Sequence, residues 1–206
     1  PMSEPYRVPA EVHRVETEVA RSRFIATVGP VGTVEEAKAF LAQIRAEMPD
    51  ASHHVYAFRV GHGQTVTEGM SDDGEPSGTS GPPVLAILRG SGLGDIIVVV
   101  TRYFGGTKLG TGGLVRAYSE ATHTALNSLR TEEKIEKRLL GIDMPYSLFQ
   151  PIKKLVEEHN GVVEDETFTA DVAIMATFAL PDIEPFVRAV RDASAGQVEP
   201  IILDDE

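Results

Sequence analysis

The chain of 206 residues contains no cysteine. That excludes disulfides, thiolate catalysis and cysteine-ligated zinc or iron–sulfur centres. No apolar run approaches the roughly 18 residues that signal a membrane-crossing helix, so no membrane span is expected. The first thirty residues lack the charged, then apolar, then small-residue order of a secretory signal, and a cytoplasmic location is the expectation. Nucleotide fingerprints are missing as well. No G-x-G-x-x-G follows a strand, and although Gly105 and Gly110 fit the Walker spacing, Thr111 stands where that pattern needs lysine. No G-x-S-x-G elbow surrounds Ser71, Ser77 or Ser80.

Positive charge is also scarce, and unevenly so. The net charge is −12, which weighs against nucleic acid, where phosphate contacts dominate affinity. Residues 1–131 carry 12 Lys+Arg against 14 Asp+Glu, whereas residues 132–206 carry 7 against 17. The excess of acid, −10 against −2, therefore belongs to the last third, and a local basic face on the remainder is compatible with the total.

What is present divides along the same line. Fourteen of the 19 glycines lie between Gly61 and Gly113, so a loop-rich part at 1–131 is expected to precede a glycine-poor part at 132–206. In the first part, Val15–Val28 reads as extended chain. A helix follows Thr33, a plausible N-cap with Glu36 at capping-box spacing. "HHVYAFRV" reads as a strand ended by Gly61-His62-Gly63, and "PPVLAILRG" as a short helix. "DIIVVVTRYF" is a β-branched run suited to burial on both faces. A long helix over "GLVRAYSEATHTALNSLR" carries Leu114, Tyr118, Ala121, Ala125 and Leu129 at helical period. In the second part, strand "KRLLGIDMPYSLF", helix "QPIKKLVEEHN", two strands around Thr169-Ala170, a helix capped by Asp182 and strand "QVEPIIL" give the order βαββαβ. That order is the split, ferredoxin-like arrangement. The final Asp-Asp-Glu reads as a frayed end.

Two segments concentrate the candidate chemistry. "DDGEPSGTSGPP" (Asp72–Pro83) offers Asp72, Asp73 and Glu75, carboxylates of the kind that hold Mg²⁺. Acids beside Gly and Pro are equally turn residues that cap neighbouring N–H groups. "TRYFGGTKLGTGGLVRAYSEA" (Thr101–Ala121) places a glycine loop between a strand and a helix, with Arg102, Lys108 and Arg116 nearby. Backbone N–H groups at such a helix start attract anions, while the glycines alone answer to positive φ and close packing. Tyr103 and Phe104, interleaved with these cations, suit base stacking, though only one of two adjacent strand residues is expected to be exposed. His53 and His54 point to opposite strand faces and cannot act as a pair.

Taken together, "SDDGEPSGTSGPPVLAIL" (Ser71–Leu88), "VVVTRYFGGTKLGTGGLVRAYSEA" (Val98–Ala121), "FIATV" and "ASHHVYAFRV" (Ala51–Val60) resemble the signature of the IMPACT/YigZ family. One position departs from it: Ser80 stands where the family usually has alanine. The resemblance implies an α+β protein in two domains. The first is an α/β sandwich with helices on one face of a mixed sheet, like a small-subunit ribosomal protein domain. The second is ferredoxin-like and similar to the last domain of elongation factor G. The eukaryotic relatives are translation regulators that act by protein–protein contact in the amino-acid starvation pathway, and ribosome or nucleic-acid association is suggested for bacterial members. No catalytic residues come with the family, and no cofactor or metal is expected. The candidate binding positions are Asp72, Asp73, Glu75, Arg102, Lys108 and Arg116, expected on one face, with RNA, the ribosome or a translation-associated protein as partner. The rival expectation is an enzyme acting on a phosphorylated small molecule, with Mg²⁺ on Asp72 and Asp73 and phosphate on the glycine loop.

Overall fold

The computed structural model describes residues 5–62 and 65–203. The chain forms two units, one spanning Tyr6–Lys134 and one built from Ile135 onward. The first contains β1 (Tyr6–Pro9), β2 (His13–Val19), β3 (Ser22–Pro30), α1 (Val34–Glu47), β4 (His53–Val60), β5 (Thr67–Ser71), α2 (Gly81–Gly90), β6 (Ile96–Tyr103), α3 (Gly110–Ser128) and β7 (Thr131–Lys134). Gly63 and residues 204–206, the expected strand end and frayed tail, lie outside the described residues. Among the described residues, no helix is long and apolar enough to cross a membrane.

The β-branched run Ile96–Val100 occupies the middle of a five-stranded sheet, ordered β2-β3-β6-β4-β5. Burial on both faces follows from alternation. Ile96, Val98 and Val100 join Phe24, Ala26, Val28, Val55 and Ala57 under α2 and α3. Ile97 and Val99 join Ile25 and Phe58 under α1, through Ala37, Leu41, Ile44 and Met48. The α+β class stands, but two details differ from the expectation of a mixed sheet with helices on one face. Every pairing in this sheet is antiparallel, and helices cover both faces. The reason is legible in β6, whose six consecutive apolar and threonine residues leave neither face suited to water.

Val15–Val28 is not one extended stretch. Ala20 (φ 47°) and Arg21 (φ 65°) form a two-residue turn, and positive φ at both positions is the hairpin geometry that matches strand twist. Thr33 caps α1 as expected, accepting from Glu36 N at 3.1 Å, but the Glu36 carboxylate reaches one residue past the cap and accepts from Gly32 N at 2.5 Å rather than closing a capping box on Thr33 N. β7 pairs antiparallel with β1, setting Lys134 opposite Tyr6. The unit therefore ends after Lys134, three residues beyond the expected break. Asp95, buried and at positive φ (47°), helps hold this closure. It accepts from Tyr6 Oη (2.6 Å), Lys134 Nζ (2.5 Å) and Gly61 N (2.7 Å). Burial alone would raise its pKa; the bonds from Lys134, Tyr6 and Gly61 outweigh burial and hold it below the usual carboxylate value.

The second unit comprises β8 (Lys137–Met144), α4 (Tyr146–Glu158), β9 (Val162–Phe168), β10 (Val172–Ala179), α5 (Leu180–Ala193) and β11 (Ile201–Leu203). Its antiparallel sheet has the order β11-β8-β10-β9, the ferredoxin-like arrangement read from element order. Both helices pack on one face, over Leu140, Ile142, Met144, Ile174, Ala176 and Phe178. α4 begins four residues earlier than expected and carries Pro151 internally, because Leu148 and Phe149 extend its apolar stripe toward Ile152 and Val156. It stops as expected at Asn160 (φ 60°) and Gly161. Gly161 N donates to Val156 O at 2.8 Å and Asn160 N to Glu157 O at 3.2 Å, a Schellman closure. Asp182 does not cap α5. It lies in the first turn, behind Ala179 as N-cap and Pro181.

Candidate functional site

Parity along β6 decides where the candidate arginine points. Arg102 follows Val98 and Val100 on the α2/α3 side of the sheet, opposite His53 on β4 and Phe24 on β3. Its side chain is buried, so a charge there requires a partner. Glu75, in the loop after β5, supplies it: Arg102 donates to Glu75 Oε1 at 2.6 Å. The same oxygen accepts from Tyr118 Oη of α3 at 2.8 Å and lies 3.6 Å from His53 Nε2. Burial, with the neighbouring Glu75 charge, pushes the Tyr118 phenol far above its ordinary value, so it is a hydrogen-bond donor at all physiological pH. The remaining edge of the guanidinium donates to Ser22 Oγ at 3.3 Å, while Phe24 and Phe104 rings lie 5.5 Å from its central carbon. The Nε of Arg102 makes no hydrogen bond, and these rings are its surroundings.

The other two acids of the first loop are equally engaged. Asp72 Oδ1 accepts from Ser80 N (3.1 Å) and Gly81 N (2.8 Å), and its Oδ2 from Gly78 N (2.9 Å). It thereby caps α2 from eight and nine residues away, a favourable place for negative charge. Asp73 (φ 44°) accepts from His54 N at 2.7 Å and pairs with Arg45 of α1 at 3.0 Å. The carbonyl of Asp73 meets His53 Nδ1 at 2.7 Å. These carboxylates do not converge on a common ion, and among the described residues no three His, Asp or Glu side chains are grouped for a metal. Ser80, the residue departing from the family pattern, is fully buried with its hydroxyl 3.0 Å from that of Thr79, which donates to Pro76 O. His54 sits on the opposite sheet face, 3.0 Å from Thr101 Oγ1. Burial lowers its pKa and keeps the imidazole neutral.

The second loop faces the other way. Its base is fixed by Gly105, whose N–H donates to Ser22 Oγ at 3.1 Å. A Cβ there would overlap the backbone carbonyl of Arg21. Gly106 and Gly110 adopt positive φ (87° and 71°), which only glycine does without strain. Beyond that base, Phe104, Lys108 and Arg116 are exposed, with Phe104 at 52%; Tyr103 is half-buried, as strand parity requires. α3 starts at Gly110 with no side-chain cap, leaving its first N–H groups toward solvent. The six candidate positions thus separate. Arg102 is not an exposed cation beside Lys108 and Arg116 but the internal partner of Glu75, and Asp72 and Asp73 serve their own chain. Ser22, His53 and Tyr118, which complete the brace between the loops, carry no local sequence signal for that role.

This geometry defines a two-domain α+β protein whose first domain locks a glycine-rich loop onto a buried ionic brace. Residues 20–126 match the Impact N-terminal domain, and residues 142–197 match a domain of unknown function, DUF1949. The chain belongs to the IMPACT family. It is 38% identical over 194 residues to an IMPACT family member of Haemophilus influenzae, covering 94% of each chain. It is 36% identical over 203 residues to the IMPACT family member YigZ of Escherichia coli, covering 98% of this chain and all of that one. A crystal structure described as a hypothetical protein superposes with a TM-score of 0.75 at 36% identity over the full length of both chains.

Proposed function

We propose that the protein is a non-enzymatic, translation-associated factor that binds the ribosome through the outward rim of the second glycine loop. The observation that carries this reading is the separation of charges just described. Every carboxylate of the first loop is held by its own chain, while Lys108 and the Phe104 ring remain exposed on a loop whose base is anchored, and Arg116 is exposed in the helix that follows it. Exposed cations and an exposed aromatic ring in one segment suit RNA, through phosphate pairing and base stacking. A braced loop gives up little freedom on binding, which raises affinity without new contacts. The translation context is supported by the family resemblance, which implies translation regulators among its eukaryotic members. The Mg²⁺-dependent enzyme reading is weakened because Asp72 and Asp73 are engaged separately, by backbone N–H groups and Arg45, and do not face a common point.

Co-sedimentation with bacterial ribosomes across a potassium chloride series tests the proposal. The parent protein is expected to pellet with ribosomes at low salt and to be released as salt rises. Lys108→Glu/Arg116→Glu is expected to lose about tenfold or more in apparent affinity, since both phosphate contacts become repulsive. Equal pelleting of parent and variant at every salt concentration would overturn it.

A further inference from the structure

The ferredoxin-like unit leaves one whole sheet face without helices, and that face is not polar. Cross-strand register gives its rows. Leu203, Leu139, Thr177 and Val162 lie side by side in one row, and Ile201, Gly141, Met175 and Asp165 in the next. Neighbours in a row share a face. Ile201 is 61% exposed, Val162 57%, and Met175 and Leu203 36% each. The third row runs Asp143, Ala173, Thr167, and exposed Asp171 follows in the turn entering β10. Among the described residues, the cation beyond the first row is Lys137, opposite Ala179. An apolar strip two rows deep is thus bordered by carboxylates, on the part of the chain that holds most of the net negative charge.

Exposed apolar area of this kind on an otherwise polar surface marks an interaction site, and its border selects the occupant. A second copy of the chain would set Asp143 and Asp165 against a like-charged border in an isologous contact, and phosphate would meet carboxylates. A segment alternating apolar residues with lysine or arginine satisfies both features, its apolar side chains covering Leu203, Met175 and Ile201 and its cations meeting Asp143, Asp165 and Asp171. We infer that the helix-free sheet face of the second unit docks a basic, apolar-patterned protein segment. This is independent of the ribosome-binding rim on the first unit.

Fluorescence anisotropy of the full chain with a labelled peptide alternating lysine and leucine tests the inference. Control peptides replace lysine by glutamate or leucine by serine, and a labelled oligouridylate reports nucleic-acid binding. Binding of the lysine–leucine peptide is expected, with neither control peptide nor the RNA displacing it. Met175→Thr/Ile201→Ser/Leu203→Ser and, separately, Asp143→Asn/Asp165→Asn are each expected to weaken it about tenfold or more. Both sets lie on the exposed face, and unchanged circular-dichroism melting confirms that each variant is folded. Four results would overturn the proposal. They are equal affinity for parent and both variants, equal binding of the glutamate–leucine peptide, RNA displacing the peptide from this face, and sedimentation velocity showing a parent dimer that Ile201→Ser/Leu203→Ser dissociates.

Discussion

Two polar, glycine-rich loops close the same end of the first sheet, and they use their polar groups in opposite directions. Between Asp72 and Ser80 the carboxylates turn inward, onto the start of α2, onto β4 and onto buried Arg102. Between Phe104 and Gly110 the backbone turns inward, onto Ser22 and Arg21, and the side chains of Phe104 and Lys108 turn outward. Dense charge therefore marks the structural loop and sparse charge the available one. The physical cause is demand: the tight turn before α2 leaves the N–H groups of Gly78, Ser80 and Gly81 to satisfy, Pro82 and Pro83 having none, and the acid in reach is consumed by them.

The inward loop should be sensitive to substitution in stability, and the largest effect belongs to Glu75. Glu75→Ala leaves Arg102 as an uncompensated buried charge and is expected to cost about 3–5 kcal/mol in urea unfolding. Adding Arg102→Met should restore much of that loss; strictly additive costs would show that the two residues do not form a coupled brace. Gly105→Ala comes next, at about 1–3 kcal/mol by thermal melting, because the new methyl meets a backbone carbonyl that has nowhere to move. An unchanged melting temperature would break the claim that the outward loop is anchored at its base. Asp72→Ala removes the remote cap of α2 and is expected to cost about 0.5–2 kcal/mol, with Asp72→Asn costing less.

Smaller still is a pH effect at Asp95, a fourth inward carboxylate, outside both loops. Its folded pKa is lowered, so the unfolded chain takes up the proton first as acid is added. The stability it contributes is complete above roughly pH 4 and is lost as pH falls through the folded value. Asp95→Asn should therefore flatten the acid limb of the stability profile while leaving its shape above neutrality unchanged. At the bottom of the scale, Lys108→Glu/Arg116→Glu is expected to change stability by less than about 0.5 kcal/mol.

Much of this architecture was legible in the residues. The order βαββαβ, the N-cap at Thr33 and the stop at Asn160-Gly161 rest on local patterns, and all three form. The hairpin at Ala20-Arg21 was hidden because neither residue advertises positive φ. The start of α4 was hidden because Pro151 looks like a first-turn residue. For the site, the alternative that Asp72 caps backbone was already present in its Gly- and Pro-rich neighbours. The burial of Arg102 was readable from parity, two positions beyond Val100 on a strand buried on both faces, but its partners Glu75 and Ser22 come from 27 and 80 residues earlier in the chain, and Tyr118, which shares Glu75, from 16 later. Only tertiary structure joins those four.

The central claim, that one loop holds the domain and the other meets the partner, is tested most directly by one paired measurement. Ribosome co-sedimentation at low salt is measured for Asp72→Ala and for Lys108→Glu/Arg116→Glu, each at a temperature where circular dichroism shows it folded. The predicted result is undiminished pelleting for Asp72→Ala and loss of about tenfold or more for the double charge reversal. Loss of pelleting by folded Asp72→Ala, with the charge reversal unaffected, would contradict it.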